Sequence, residues 1–420
     1  MGCSMNICVH RGTNEIGGNC IELATASSRI LLDVGLPLSS MVDNKPLDEY
    51  RVPVSGLYVD QSPDIDAIFI THGHPDHYGL LPLINPKIPV YMTRAVRQTL
   101  LQIQPLLPGD FDISHLDIRE IVPGHPVQVG DFTVIAHLVD HAPASVSYEI
   151  SDGKTRIVYT GDIRFHATMA RSSWRLASAA KNPDYLIVEG TRLSRTDDVV
   201  NERYQTEDAV CAGITDLLRD SGKLAYISMS SQNLDRLCSV IRACCRTGRT
   251  FVIDPYTAAL LDIYHDCFPS VPNLDMLKNV RIYYGISDTI AEKMKSAGIF
   301  YRHKLHKISA DEILDNPGQY VIKYNWRLSD WLVRNGVTDY NFIYSMWYGY
   351  MHQQDTWAPH MDKLVQIHTS GHASRDALAK FVRRIAPKQI IPVHTECKDD
   401  FESVFGVPSL VLDDNEVQRL

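Results

Sequence analysis

Within six positions, His72-Gly-His74-Pro-Asp76-His77 places four side chains of the kinds that bind transition metals. The run follows Asp66-Ala-Ile-Phe-Ile-Thr71, a continuous apolar stretch that reads as a strand buried on both faces. On the extended loop after such a strand, alternating His72 and His74 converge on one cation, and Asp76 with His77 points to a second nearby. Imidazole and carboxylate together suit zinc, manganese or iron better than magnesium. A chance polar loop is the competing reading, and four ligand types at one strand end weigh against it. A closed structural zinc site would carry more Cys. Two cations ~3.5–4 Å apart lower the pKa of a shared water and deliver hydroxide at neutral pH.

Further ligands are to be sought at other strand ends. His141 follows Phe132-Thr-Val-Ile-Ala-His-Leu-Val-Asp140, Asp162 follows Ile157-Val-Tyr-Thr-Gly161, and His394 follows Gln389-Ile-Ile-Pro-Val393. Each alone reads as an ordinary core or surface residue; the signal is the recurrence after an apolar run. Residues 28–35 and 185–190 repeat it, ending near Asp33 and Glu189. Polar residues along one rim of a sheet are where sites collect in layered α/β folds. Beyond Thr191 the rhythm becomes strand–helix–strand through about Tyr344, which marks a separate α/β unit. A helix is expected over 202–218 and a strand over 224–228. A second helix, capped by Ser230 or Ser231, repeats Leu234, Leu237, Val240, Ile241 and Cys244 and stops at Gly248. Strands are expected again at 251–254, 364–368 and 389–394. His115, His265 and His303 read as ordinary residues, and His368 has no assigned role.

A chain of 420 residues suits two domains. With 45% hydrophobic and 22% charged residues the composition is that of a globular protein, without a run of the ~18–20 apolar residues that a membrane span needs. The start lacks the basic and apolar segments of a secretory signal. Gly2 and Cys3 suggest lipidation, but Asn6 stands where the myristoylation pattern wants Ser or Thr. Nine Cys without a Cys-x-x-Cys pair read as reduced thiols in a cytoplasm. The net charge of −9 argues against a broadly basic nucleic-acid coat, though bound cations can supply a local positive field.

In order, Asp33, the run at 72–77, His141, Asp162 and His394 resemble the motifs of metallo-β-lactamase fold hydrolases. More narrowly the chain resembles their β-CASP branch, and within it ribonuclease J. Ile187-Val-Glu189-Gly-Thr191 is similar to that branch's first motif, Ser370-Gly-His372-Ala-Ser374 to its second and Ile391-Pro-Val-His394-Thr-Glu396 to its third. Glu15-Ile-Gly-Gly-Asn19 and the insert at 52–60 also have counterparts. The resemblance implies an αββα sandwich from 1–192 and 358–420, with a β-CASP α/β domain inserted at 193–357 and a cleft that admits a single strand. It implies two divalent metal ions, zinc ahead of manganese. His72, His74 and His141 would hold one, Asp76, His77 and His394 the other, and Asp162 would bridge them. Asp33 and Glu189 would fix ligand rings from behind. Catalysis would fall to Asp76, Glu189 and His372, the last beside the scissile phosphate as acid for the leaving oxygen. Ser370, Gly371, Ala373 and Ser374 would face a phosphate, and Ser231, Asn233 and Arg236, at a helix start, would bind further phosphates.

The implied activity is hydrolysis of single-stranded RNA, from the 5′ end or internally. Rivals are a DNA nuclease of the same branch, a small-molecule lactonase or phosphodiesterase, and a non-catalytic RNA-binding module. His394 favours RNA, since DNA-acting relatives tend to carry Val there; the insertion argues against a small substrate, and the full ligand set against an inactive protein. Two features depart from the family. The chain ends soon after His394, so the family's C-terminal domain and its oligomer are not implied. The Gly-rich stretch is replaced by Tyr344-Ser-Met-Trp-Tyr-Gly-Tyr350, whose Trp347, Tyr348 and Tyr350 either stack on bases or, more commonly, fill a core.

Overall fold

The computed structural model describes residues 5–43, 45–103, 106, 111–194, 203–353 and 355–420; Gly2, Cys3 and Glu202 lie outside them. The chain divides into two compact units. The first comprises Met1–Leu101, Asp110–Thr196 and Gly371–Leu420, the second Gln102–Gly109 and Asp197–Ser370. Ile103 and Leu106 go with the second unit because they pack into its core.

In the first unit, single residues of one strand choose opposite cores. Ala67 and Phe69 join Ile157, Tyr159, Ile187 and Ile391 in one cluster, whereas Ile68 joins Val90, Tyr78 and Val96 in another. Likewise Ile187 faces the first cluster, but Leu186 and Val188 meet Leu176, Phe381 and Val382 of two helices, Ala170–Ala179 and Arg375–Ile385. Side chains alternate across a strand, so a strand apolar at every position must be covered on both faces. The result is two sheets packed face to face with helices outside each, the expected αββα sandwich. One sheet runs Val417–Arg419, Asn6–Arg11, Cys20–Ala24, Arg29–Leu32, Ala67–Phe69, Val90–Met92, Ile118–Glu120. The other runs Gln389–Val393, Tyr185–Glu189, Arg156–Tyr159, Val146–Ser151, Phe132–Leu138, Pro126–Val129.

Parallel pairing brings the functional ends to one rim. Ala67–Phe69 lies parallel to Arg29–Leu32, so Asp33 and Thr71 leave the sheet side by side. Tyr185–Glu189 lies parallel to both Arg156–Tyr159 and Gln389–Val393, with Glu189 opposite Val393.

The second unit is an all-parallel sheet in the order Val280–Ile282, Thr250–Ile253, Tyr320–Lys323, Leu224–Ser228, Tyr340–Tyr344, Leu364–Gln366. Helix Glu207–Asp220 is capped by the Thr206 side chain. Helix Leu234–Thr247 ends at Gly248 in the left-handed region (φ 68°), as expected. Its N-cap, however, is Asn233, whose side chain accepts the Arg236 N–H, and not Ser230 or Ser231. Those two are committed elsewhere: Ser230 Oγ accepts the Gln232 N–H, and Ser231 Oγ bonds Thr257 Oγ1. No described helix is long and apolar enough to cross a membrane.

Candidate metal centre

The loop after Ala67–Phe69 is fixed before its ligands begin. Thr71 donates its N–H to Asp33 Oδ1 at 2.8 Å. Pro75 then opens the short helix Pro75–Tyr78, a position that suits its fixed φ and missing N–H, and the turn presents Asp76 and His77. This turn lies against Gly35, where a Cβ would fall 1.8 Å from the Asp76 carbonyl oxygen.

Seven side chains form two groups whose donor atoms lie within 4.8 Å of one another: His72, His74, His141 and Asp162, and Asp76, His77, Asp162 and His394. These are the seven residues singled out from the sequence as candidate ligands. Asp162 belongs to both. Its Oδ2 is 3.4 Å from His141 Nε2 and 3.7 Å from His72 Nε2; its Oδ1 is 3.3 Å from His77 Nε2 and 3.6 Å from His394 Nε2. His74 Nδ1 is 3.0 Å from His72 Nε2 and 3.1 Å from His141 Nε2. Asp76 Oδ2 is 3.3 Å from His394 Nε2.

The far sides of the rings are anchored. His77 Nδ1 donates to Asp33 Oδ2 at 2.8 Å, and Asp33 Oδ2 also accepts the Tyr159 hydroxyl at 2.7 Å. His141 Nδ1 donates to the Gly371 carbonyl at 2.7 Å. His394 Nδ1 meets Thr191 Oγ1 at 2.8 Å, and His72 Nδ1 meets Thr71 Oγ1 at 3.0 Å. Anchoring one ring nitrogen turns the other inward as a lone-pair donor. Burial holds His72, His74 and His141 below the usual imidazole range, so these rings are neutral. Burial would raise Asp162, but His394, His77 and His372 outweigh it and keep the carboxylate ionised. His77 Nε2 and Asp162 Oδ1 are buried without a hydrogen-bond partner. Such orphans cost about 1–3 kcal/mol each. Burial would lower His77, but Asp162, Asp33 and Asp76 outweigh it and push it up, so that it holds a proton that a cation among these carboxylates would replace. Imidazoles converging with ionised carboxylates are the donor set of divalent cations, so the residues fit a metal pair. Asp33 (φ 58°) and His394 (φ 54°) both sit in the left-handed region that side chains other than glycine rarely adopt.

Glu189 takes a different place from the one expected. It holds no ligand ring. Its carboxylate lies 3.0 and 3.1 Å from His372 Nδ1 and accepts the Ile163 N–H at 2.9 Å. Thr191, two residues on, is what holds His394. His372 is half-buried beside the ligands, 3.9 Å from Asp162 Oδ2. In the loop around it, the groups expected to meet a phosphate are partly committed. Gly371 supplies its carbonyl to His141, the Ala373 N–H donates to the Ile163 carbonyl at 2.8 Å, and Ser374 caps helix Arg375–Ile385.

The proposed phosphate cluster in the second unit also differs. Arg236 is wholly buried. Its Nε and Nη2 donate to the two carboxylate oxygens of Glu207 at 3.1 and 2.9 Å, and Nη1 donates to the Ser345 carbonyl at 2.9 Å and lies 3.2 Å from His368 Nδ1. Its guanidinium is therefore committed inside the unit, and His368 belongs to this network. Asn233 and Ser231 serve as cap and as partner of Thr257. Of the aromatic stretch, Tyr344 is in the core, Trp347 packs edge-on to Tyr350 at 5.1 Å, and Tyr348 is 40% exposed. His115, His265 and His303 bond the Ile84 carbonyl, the Val271 carbonyl and Asp262 respectively, as ordinary residues do.

Residues 28–213 match the beta-lactamase superfamily domain, and residues 359–403 match the Zn-dependent metallo-hydrolase RNA specificity domain. The chain is 26% identical to transcription termination factor FttA of Methanothermobacter thermautotrophicus over 90% of this chain and 64% of that protein. It is 24% identical to ribonuclease J2 of Bacillus subtilis over 92% of this chain and 68% of that protein. It thus spans less than two thirds of the archaeal factor's length. The crystal structure of a protein of unknown function from Enterococcus faecalis superposes with a TM-score of 0.81 at 20% identity, covering 99% of this chain and 100% of that one, and so shares the fold.

Proposed function

We infer that this chain, a member of the β-CASP branch of the metallo-β-lactamase superfamily, hydrolyses phosphodiester bonds of single-stranded RNA. The observation that carries the reading is the pair of donor groups sharing Asp162, with the rings of His72, His77, His141 and His394 anchored from behind. RNA as the substrate is supported by the RNA specificity match, whose span includes His372 and His394. When bound, two divalent cations supply Lewis acidity and an activated nucleophile, and the imidazole-rich donor set favours zinc.

The chain's own residues do the rest. Asp33, Thr191 and the Gly371 carbonyl fix His77, His394 and His141 against rotation. Glu189 accepts from His372 Nδ1 and stabilises the imidazolium, which leaves a proton on Nε2 for the departing oxygen. The described cysteines are free thiols, which suits a reducing cytoplasm.

The test is incubation of purified, metal-loaded protein with end-labelled RNA and DNA of one sequence, single-stranded and duplex. Single-stranded RNA should be cut fastest. Equal rates, or a preference for DNA, would move the reading to a DNA nuclease. A 5′-monophosphate RNA should be degraded processively to mononucleotides, and products from circular RNA would show that no end is required.

A further inference from the structure

Asp162 serves both donor groups, and the two residues after it tie down the loops around it. The Ile163 N–H donates to Glu189 and its carbonyl accepts from Ala373, next to His372. Arg164 follows. It is 1% exposed, as is Asp140, the residue before His141. Arg164 Nε donates to Asp140 Oδ1 at 3.0 Å, and the Arg164 N–H donates to the Asp140 carbonyl at 2.7 Å. Asp140 is fixed from two more directions: Oδ2 accepts the Ala167 N–H at 2.9 Å, and its own N–H donates to Ser173 Oγ at 2.8 Å. One buried ion pair thus joins the loop that carries Asp162 to the loop that carries His141. Neither ligand lies within a strand; the backbone joins their loops through one isolated antiparallel bridge, Asp140 to Arg164, and the ion pair adds orientation to that single link.

We propose that Arg164 is a positioning residue: through Asp140 it sets the approach of His141 Nε2 to Asp162 Oδ2, and so the geometry of the group His72, His74, His141 and Asp162. The inference rests on the reading of that group as a cation site. Two physical arguments carry it. A buried ion pair gains little stability over apolar side chains of the same volume, so stability alone is a weak reason for it here. A planar guanidinium fixes orientation as well as distance, which a ligand loop needs and a core does not. Asp76, His77 and His394 are held from other elements, by the Asn19 N–H on the Asp76 carbonyl, by Asp33 and by Thr191, so the effect of Arg164 falls on the group that contains His141.

The test titrates metal-free protein with Co²⁺, read by visible absorption and elemental analysis, with circular dichroism and thermal unfolding of the metal-free forms alongside. Wild type should take two ions. Arg164→Met should keep one with unchanged affinity and bind the other about 10- to 100-fold more weakly, the usual loss when a group behind a ligand is removed. Arg164→Lys should lie between. In a His74→Ala background, Arg164→Met should change nothing further, which assigns the effect to that group. If Arg164→Met does not fold, Asp140→Asn, which keeps the volume, should show the same selective weakening. Wild-type affinity at both sites in these variants would overturn the proposal, as would equal weakening of both sites. A wild-type protein that takes up no second ion would instead overturn the cation reading beneath it.

Discussion

Each unit of this protein buries a knot of charged side chains, and the two knots differ in what they leave over. Around Arg236 the donors and acceptors answer one another: Glu207 takes the guanidinium on two sides, and Ser345 and His368 take the remaining edge. Around Asp162 they do not. The outer nitrogens of His77, His141 and His394 are satisfied, but the inner ones point at each other, and His77 Nε2 and Asp162 Oδ1 face one another at 3.3 Å without a well-formed hydrogen bond. Both knots bear the desolvation cost of buried charge. The closed one offsets it internally and is architecture. The open one offsets it only when something cationic enters, and that is what a binding site is.

That contrast breaks most visibly at the open knot. His74→Ala should lower the metal content from about two ions per chain to about one and abolish hydrolysis; a metal-free variant that still cuts RNA would sink the mechanism. His372 lies against the knot, 3.9 Å from Asp162 Oδ2, but its pairing with Glu189 assigns it to the reaction, and His372→Ala tests that assignment. It should retain both ions and the native Tm while slowing cleavage by about 10²–10⁴-fold. Loss of metal with that side chain would make His372 a ligand, and an unchanged rate would reduce it to a structural part of its loop.

The closed knot should respond in the opposite currency. Arg236→Met leaves Glu207 buried and unpaired, and denaturant unfolding should show a loss of about 3–5 kcal/mol with metal content unchanged. Adding Glu207→Gln should restore much of it. The smallest effect belongs to a closed network on the first unit, where His10 Nε2 meets Glu22 at 3.1 Å. Burial works against the imidazolium, but bonds to Cys8 and Glu22 outweigh it and push the His10 pKa up to about 9. A raised pKa stabilises the fold fully below the unfolded value near 6.5 and loses that contribution as pH rises through about 9. Wild type should therefore exceed His10→Gln by about 1–3 kcal/mol at pH 6, and the gap should close by about pH 10. A gap that does not depend on pH would mean that His10 acts by packing alone.

What the sequence revealed follows the same division. The seven candidate ligands were legible because each is a metal-binding type placed at or soon after the end of an apolar strand. Of the groups behind the rings, Asp33 was legible and the others were not. Gly371 acts through a backbone carbonyl that any residue would carry, and Thr191 is one hydroxyl among many. Glu189 could be placed at the right strand end, but not assigned to His372 in preference to a ligand. Arg236 misled for a physical reason. A Ser, Asn and Arg at a helix start look like an anion site, and nothing local reveals that Glu207, on the preceding helix, already holds the guanidinium.

Asp33 and His394 support the centre from backbone conformations that disfavour them by about 1–3 kcal/mol apiece. Contacts from other elements hold both in place: Thr71, His77 and Tyr159 on the Asp33 carboxylate, and the Gly12 carbonyl, the Gly190 N–H and Thr191 on His394. A sprung part relaxes first when its frame loosens. Substitutions that weaken the inner core, such as Ile187→Ala or Phe69→Ala, would therefore register as faster metal release well before they register as unfolding. The centre is in this sense a strain gauge for the whole sandwich, and its metal off-rate reports the tightness of packing many residues away.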